Sequence, residues 1–462
     1  MRKFFCILFV WSYISATPLT DLRSAIDEII TAVDPNVHVG IEVVSMKTRE
    51  VLYKKNSDQL FIPASTLKLF TAAAATGILG VDYCFETKLY RDTEGNLYLQ
   101  GSGDPSLSQD DLRQLIRDLI LQSTFDVQDI FVDNTVFDPF WQGPGWMWDE
   151  PPAYWNSPSD GLTVDHSTIS IYVSPGKRAD VPPSYVLDPP LSNIQVDSQA
   201  STGTKNTFKV DRRVDNQKLT LVLSGELPLQ FPLQQIRIPV PMPALYTGEV
   251  FKCLLQEKNI PVKGNVILLR TPQTVQLLAT HYSEPLSQLL YPMMKNSDNM
   301  YADSFFKRMA ATYLGAPGSW QKGSMAMREF LRREVALDPS DLIILDGSGL
   351  SRYDLLSPHN FSHLLGWLYR DFKFSDEVIA SLPISGVDGT LKNRMNSISS
   401  RVRAKTGGMM GITGLTGYVV TRDNETLSLV ILMNGFVGST EEYKAQIEDA
   451  ICKKLALFTR KN

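Results

Sequence analysis

The chain has 462 residues, enough for about three domains of roughly 150 residues each. Hydrophobic residues at 43% and charged residues at 21% are ordinary for a globular protein. The net charge is −5, with no basic block or Lys/Arg stripe, which argues against nucleic acid as a partner.

The first residues read as a secretory signal over 1–16. Arg2 and Lys3 form a charged start, 4–10 is almost wholly apolar, and Ile14-Ser15-Ala16 offers a small-residue cleavage site. The apolar run is shorter than the ~20 residues a membrane span needs, so an uncleaved anchor ranks second. Residues 22–33 have a helical period through Leu22, Ile26, Ile29, Ile30 and Val33, stopped by Asp34-Pro35-Asn36. Residues 37–44 and 50–53 read as a strand pair around Met46-Lys47-Thr48. Pro63 then introduces a helix that ends near Gly77 and Gly80.

From about 84 to 280 the pattern changes to short strand-like runs with Pro and Gly. A strand at 97–100 leads into the turn Gly101-Ser102-Gly103-Asp104-Pro105. A helix is expected at 110–121, a strand at 130–133, and a helix at 246–258. Within this stretch, 174–225 is polar, carries Pro182-Pro183 and Pro189-Pro190, and ends in a strand at 219–223. It reads as a small β-rich unit nested in a larger insertion. After 284 a helical style returns, with amphipathic segments at 286–294 and 325–334. A hairpin of 415–420 and 427–433 turns at Arg422-Asp423-Asn424. A closing helix at 442–457 directs Ile447, Ile451 and Leu455 at a sheet. Once the signal is removed, Cys84, Cys253 and Cys452 remain. An odd, scattered set has neither a disulfide framework nor zinc spacing, so three buried thiols are expected, with one bridge plus a free thiol as the alternative. No metal or cofactor is expected. The five histidines, His38, His166, His281, His359 and His363, form no His-Glu-x-x-His pattern, and there is no Gly-x-Ser-x-Gly elbow.

Three short motifs stand in one order: Ser65-Thr66-Leu67-Lys68, Ser297-Asp298-Asn299 and Lys405-Thr406-Gly407. Ser-x-x-Lys alone is weak, because it recurs at Ser174/Lys177, Ser304/Lys307 and Ser319/Lys322. Ser174 is followed by Pro175-Gly176, which no helix interior holds. Ser304 and Ser319 lie in polar, amphipathic surroundings where a solvated lysine is a sufficient account. Ser65 differs, because its helix continues as Leu67-Lys68-Leu69-Phe70-Thr71-Ala72-Ala73-Ala74-Ala75, apolar on nearly all sides. Such a helix is buried, and a lysine in it is costly unless partnered. At i and i+3, Ser65 and Lys68 share a face, where a desolvated lysine can stay neutral and act as a base. Taken alone, Ser297-Asp298-Asn299 is a helix cap and Lys405-Thr406-Gly407 a strand-end turn. Arg401-Val402-Arg403-Ala404 looks like the strand entering the third motif. The combination in order is what reverses those readings.

On these motifs the chain resembles the D-alanyl-D-alanine carboxypeptidase/endopeptidases of the three-domain, class C low-molecular-mass penicillin-binding type. Pro63-Ala64-Ser65, Gly101-Ser102-Gly103-Asp104-Pro105, Gly143-Pro144-Gly145-Trp146, Asp346-Gly347-Ser348-Gly349-Leu350-Ser351-Arg352 and Gly386-Val387-Asp388-Gly389-Thr390-Leu391 extend the likeness over nearly the whole mature chain. The resemblance implies an α/β (α+β) fold: a β-lactamase/transpeptidase-like catalytic domain with an antiparallel sheet flanked by helices, interrupted by two nested, β-rich inserted domains. The expected boundaries are 17–83 with 281–462 for the catalytic domain, 84–175 with 226–280 for the first insertion, and 176–225 for the nested one. It implies Ser65 as nucleophile, Lys68 as its proton acceptor, Ser297 and Lys405 as carriers of a proton to the leaving amine, and Asn299 as a holder of the substrate amide. Backbone N–H groups of Ser65 and Gly408 would form the oxyanion hole, with Thr406 and Gly407 on the substrate strand. More loosely, it implies a side-chain pocket of Trp146, Asp149, Tyr154, Arg352 and Met409. The implied partners are peptidoglycan peptides, with β-lactams as inhibitors, no nucleic acid, and a weak homodimer left open. The implied location is the periplasm. One departure is Gly408, where the family commonly has Thr or Ser; the missing hydroxyl predicts a bias towards cross-link cleavage over terminal D-alanine removal. A β-lactamase-like hydrolase and a non-catalytic cell-wall-binding module are the alternatives.

Overall fold

The computed structural model describes residues 18–120, 126–215 and 218–460, so the expected signal at 1–16 lies outside the described residues. The two ends of the chain build one sheet. Its order is Val402–Met409, Ile412–Val420, Thr426–Asn434, His38–Ser45 and Val51–Lys55, antiparallel throughout. Seven consecutive residues inside Thr426–Asn434 are buried, because both faces of the sheet are covered. Period-two alternation divides them. Val430 and Leu432 face one core, with the helices Lys68–Leu79, Leu286–Lys295, Asn299–Leu314 and Pro358–Arg370. Leu429, Ile431 and Met433 face the other, against Pro18–Val33 and Asp449–Leu457. The result is a three-layer α/β/α arrangement with the expected antiparallel sheet flanked by helices.

The inserted part has a second five-stranded sheet, in the order Val266–Leu268, Ile130–Asp133, Leu97–Gln100, Glu86–Arg91 and Gln276–Tyr282. Glu86–Arg91 and Gln276–Tyr282 pair antiparallel, so the chain leaves and re-enters the catalytic unit side by side. Smaller sheets follow. Gln234–Pro239, Thr168–Ser174 and Ser184–Asp188 form one, Lys209–Asp215, Lys218–Ser224 and Gln195–Ser198 another, and Glu226–Pro228 pairs with Ser201–Gly203. Pairing of Ser184–Asp188 with Thr168–Ser174, and of that strand with Gln234–Pro239, ties strands from both sides of positions 175 and 225 into one sheet. A single apolar core runs through the inserted strands and the helices Gln109–Ile120 and Pro243–Glu257.

Several elements differ in extent from their sequence reading. The helix expected at 325–334 begins at Trp320, because the Ser319 hydroxyl accepts from the Lys322 N–H and caps it. It runs to Phe330 and continues as a π turn, Leu331–Val335. The closing helix also holds a π turn, Lys444–Glu448, between Thr440–Tyr443 and Asp449–Leu457. The expectation of three buried thiols is corrected: Cys452 is buried, Cys84 and Cys253 are half-buried, and all three are free.

Candidate active site

The nucleophile motif opens on a strained turn. Ala64 has φ +47°, a left-handed conformation that costs a non-glycine residue of order 1–3 kcal/mol. Gly349 supports the turn, since a Cβ there would collide with the Ala64 carbonyl. A 3₁₀ turn, Ala64–Leu67, then leads into the helix Lys68–Leu79, whose residues 68–76 are all buried. Ser65 is half-buried at the cleft floor, and Lys68 is fully buried one turn on.

Lys68 Nζ reaches Ser65 Oγ at 2.9 Å, Asn299 Oδ1 at 2.6 Å and the Ser348 carbonyl at 2.8 Å. A protonated ammonium donates to all three. A neutral amine keeps two donations and turns its lone pair to the Ser65 hydroxyl. Burial lowers the Lys68 pKa to about 8, against the opposing pull of Asp303, Asp346 and Asp298. On the other side of the cleft, Lys405 Nζ donates to Ser297 Oγ at 2.8 Å and to the Thr406 carbonyl at 2.8 Å. Burial, then the nearby charges of Lys68 and Lys444, hold Lys405 well below the usual lysine value.

Ser297-Asp298-Asn299 caps a helix and furnishes the site at once. Asp298 is the N-cap of Asn299–Leu314 and accepts from the Tyr301 N–H. Ser297 sits at φ +60°, which turns its hydroxyl to Lys405 while Asn299 faces Lys68. The inserted segment is laid over this corner. Asn299 Nδ2 donates to the Trp155 carbonyl at 2.9 Å, and His166 Nε2 lies 3.0 Å from Asp298 Oδ2. The insertion thereby forms a wall of the catalytic cleft.

Gly407 lies against the nucleophile. A Cβ there would sit 2.9 Å from the Pro63 carbonyl oxygen and 3.2 Å from the Ser65 nitrogen, both of them backbone atoms. Thr406 Oγ1 is 2.7 Å from Thr390 Oγ1 on the neighbouring loop. Ser65, Ser297, Asn299 and Gly408 line a cleft of about 860 Å³ together with Asp149, Tyr154, Arg352 and Met409. Trp146, which the resemblance places in the same pocket, does not line it. Its indole Nε1 donates to Asp346 Oδ2 at 2.9 Å and its ring packs edge-on against Trp320.

Sequence reasoning missed the buried acids under Lys68. Asp303, Asp346 and Asp354 are all fully buried. Asp346 accepts from the backbone of Gly349 and Ser351, Asp303 from Gly347, and Asp354 from Leu345, so the three carboxyls shape the 345–351 loop that carries the Ser348 carbonyl. Burial and the neighbouring Asp346 hold Asp303 and Asp354 well above the usual carboxyl range. The available signal was Asp-Gly-Ser-Gly, whose glycines allow such a tight loop.

The other Ser-x-x-Lys lysines lie away from the cleft. Lys307 is not solvated but fully buried, paired with Asp138 at 2.8 Å and donating to the Phe140 carbonyl at 2.9 Å. Its partners come from the inserted segment, which an amphipathic pattern cannot reveal. Lys322 is half-buried and donates to the carbonyls of Gly315 and Pro317. Lys177 is exposed. None of these three directs its ammonium at its serine, Lys322 meeting Ser319 only through its backbone N–H, so among the described residues Ser65/Lys68 is the pair in which ammonium and hydroxyl touch.

A serine touching a buried lysine, with a second Lys–Ser pair across a cleft at the sheet edge, defines a serine hydrolase of the β-lactamase/transpeptidase type. The chain belongs to the D-Ala-D-Ala carboxypeptidase 3 (S13) family, whose model matches residues 22–456. It is 33% identical to a D-alanyl-D-alanine carboxypeptidase of Actinomadura sp. (strain R39), over 96% of this chain and 86% of that protein. Among solved structures it is similar to penicillin binding protein 4 (dacB) from Haemophilus influenzae, with a TM-score of 0.81 and 28% identity, covering 94% of this chain and 98% of the other. The same Haemophilus influenzae protein complexed with a β-lactam matches with a TM-score of 0.77 and 26% identity, over 96% of this chain and 100% of that one.

Proposed function

We propose that Ser65 attacks the carbonyl between two terminal D-alanines of a peptidoglycan stem peptide. Lys68, in its neutral form, takes the hydroxyl proton. The single observation that carries this is the 2.9 Å contact between Ser65 Oγ and the fully buried Lys68 Nζ, whose pKa burial has lowered to about 8. The negative charge on the carbonyl oxygen falls to the Ser65 and Gly408 N–H groups, an arrangement whose single donors are worth about 3 kcal/mol elsewhere. The Lys405–Ser297 pair carries a proton to the leaving amine, D-alanine departs, and water releases the acyl group with Lys68 again as base. Cross-link cleavage is the same transfer with a branched amine as leaving group. β-Lactams enter by the same attack and remain as the ester; that β-lactams bind this cleft is supported by the β-lactam complex of the Haemophilus influenzae relative.

The pocket of Asp149, Tyr154, Arg352 and Met409 is read as the place for the stem peptide's side chain. Residues 84–167 and 240–280 are read as the first insertion, and 168–239 as the nested one, a division wider than 176–225 and supported by the strand pairing across those limits. The protein is read as exported to the periplasm, where its substrate is.

The test is digestion of purified muropeptides by wild type and Ser65→Ala, with products weighed by mass spectrometry. Loss of D-alanine and of cross-links in the wild type only is the expected result. Cleavage that persists in Ser65→Ala overturns the mechanism. A penicilloyl adduct stable over hours separates this enzyme from an efficient β-lactamase.

A further inference from the structure

The missing hydroxyl at Gly408 leaves a gap with a cation beside it. A Cβ on Gly408 would lie 3.5 Å from Lys444 Nζ and 3.8 Å from Thr440 Cγ2, with nothing nearer. Gly408 is exposed and lines the cleft, and Thr406 lies on the same face of its strand two residues earlier. Lys444 opens the π turn Lys444–Glu448, and its ammonium lies beside Gly408 on this strand. Its side chain is only 18% exposed, and its ion-pair partner Glu441, at 2.6 Å, is 77% exposed. So exposed a partner holds it weakly. Lys405, 2.8 Å from both Ser297 Oγ and the Thr406 carbonyl, has no recorded carboxylate partner among the described residues. Among the described residues the ion-pair partner of Lys444 is thus the solvated Glu441, while the buried Glu448, which also feels its charge, is paired with Arg394 at 2.8 Å.

We propose that Lys444 binds the free carboxylate of the substrate, or of a β-lactam, replacing the side-chain hydroxyl that Gly408 lacks. The carboxylate next to the scissile bond would lie along Val402–Met409, between the Thr406 hydroxyl and the Lys444 ammonium. Glu441 would swing into solvent or share the cation. This revises the expectation drawn from Gly408 alone: discrimination for a free carboxylate is retained, and it moves from a neutral donor to a charged one. The inference rests on the DD-peptidase reading above.

The experiment compares acylation of Ser65 by benzylpenicillin and by its methyl ester, which has no carboxylate, followed as intact-protein mass against time. Wild type is expected to prefer the acid. Lys444→Met is expected to lose roughly 10- to 100-fold on the acid and little on the ester, as removal of a charged hydrogen bond implies. Lys444→Arg keeps most of the preference, and Gly408→Ser added to Lys444→Met restores part of it, since the position has room for a side chain at ordinary contact distances. An unchanged acid-to-ester ratio in Lys444→Met overturns the proposal, and so does an equal fall on both compounds. If the wild type is acylated by neither, the DD-peptidase reading fails and takes this inference with it. Acylation with an unchanged ratio overturns the inference alone.

Discussion

Replacing Lys68 by methionine removes the base while keeping a linear side chain in a helix buried on every side. With a pKa of about 8, roughly a tenth of Lys68 is neutral at pH 7 and about nine tenths at pH 9. Wild-type acylation by benzylpenicillin should therefore rise about tenfold over that range, with its midpoint near 8. Loss of a general base costs about 10²- to 10⁴-fold, so Lys68→Met should acylate that much more slowly and without the rise. Stability carries a matching signature. The folded pKa lies below the usual 10.5, so between about 8 and 10.5 the unfolded chain binds more protons than the folded one, and stability increases with pH. For a fully buried group the gain across that window is about 3 kcal/mol, and Lys68→Met lacks it. Lys405, lowered by the same burial, adds a slope of the same sign to both proteins. The assay is stopped-flow acylation from pH 6 to 10, paired with urea unfolding at pH 8 and 10. A folded Lys68→Met variant acylating within tenfold of wild type would refute the assignment, as would a flat wild-type profile between pH 7 and 9.

Three other perturbations follow from the geometry. Ser297→Ala removes the acceptor 2.8 Å from Lys405 and should slow turnover of a D-Ala-D-Ala peptide about 10²-fold or more, measured as D-alanine release. Gly407→Ala puts a methyl against the Pro63 carbonyl and the Ser65 nitrogen. The backbone must shift to admit it, so acylation should fall about 10²-fold by misplacing the nucleophile, and urea unfolding should show a loss of about 1–3 kcal/mol. Trp146→Phe deletes the donor to the buried Asp346 and should cost about 1–3 kcal/mol in urea unfolding while the cleft residues stay in place.

Much of this site was legible because its signals are local. An i, i+3 pair in an apolar helix is visible in ten residues, and burial of 68–76 follows from their composition. The Ser297 motif was ambiguous for a good reason: Asp298 does cap the next helix, and the left-handed Ser297 is what frees its neighbours for the cleft. The expectation of a solvated Lys307 fails because its partner, Asp138, lies some 170 positions away in the inserted segment. The same holds for Trp146, whose indole is used up on Asp346 two hundred positions away. Lys444 could not be found at all, since no motif contains it and the closing helix reads simply as amphipathic.

Which chemical groups are present and in what order, and that some 230 positions separate the first two motifs, can be read along the chain. Those follow from residue type, spacing and short-range sterics. Which lysine is desolvated by which neighbours, which wall of the cleft the segment around Tyr154 supplies, and which cation stands beside Gly408 come from contacts between distant segments. A pKa depends on the dielectric and charges within a few ångströms in space, and those neighbours come from segments as far apart as 68, 303 and 346.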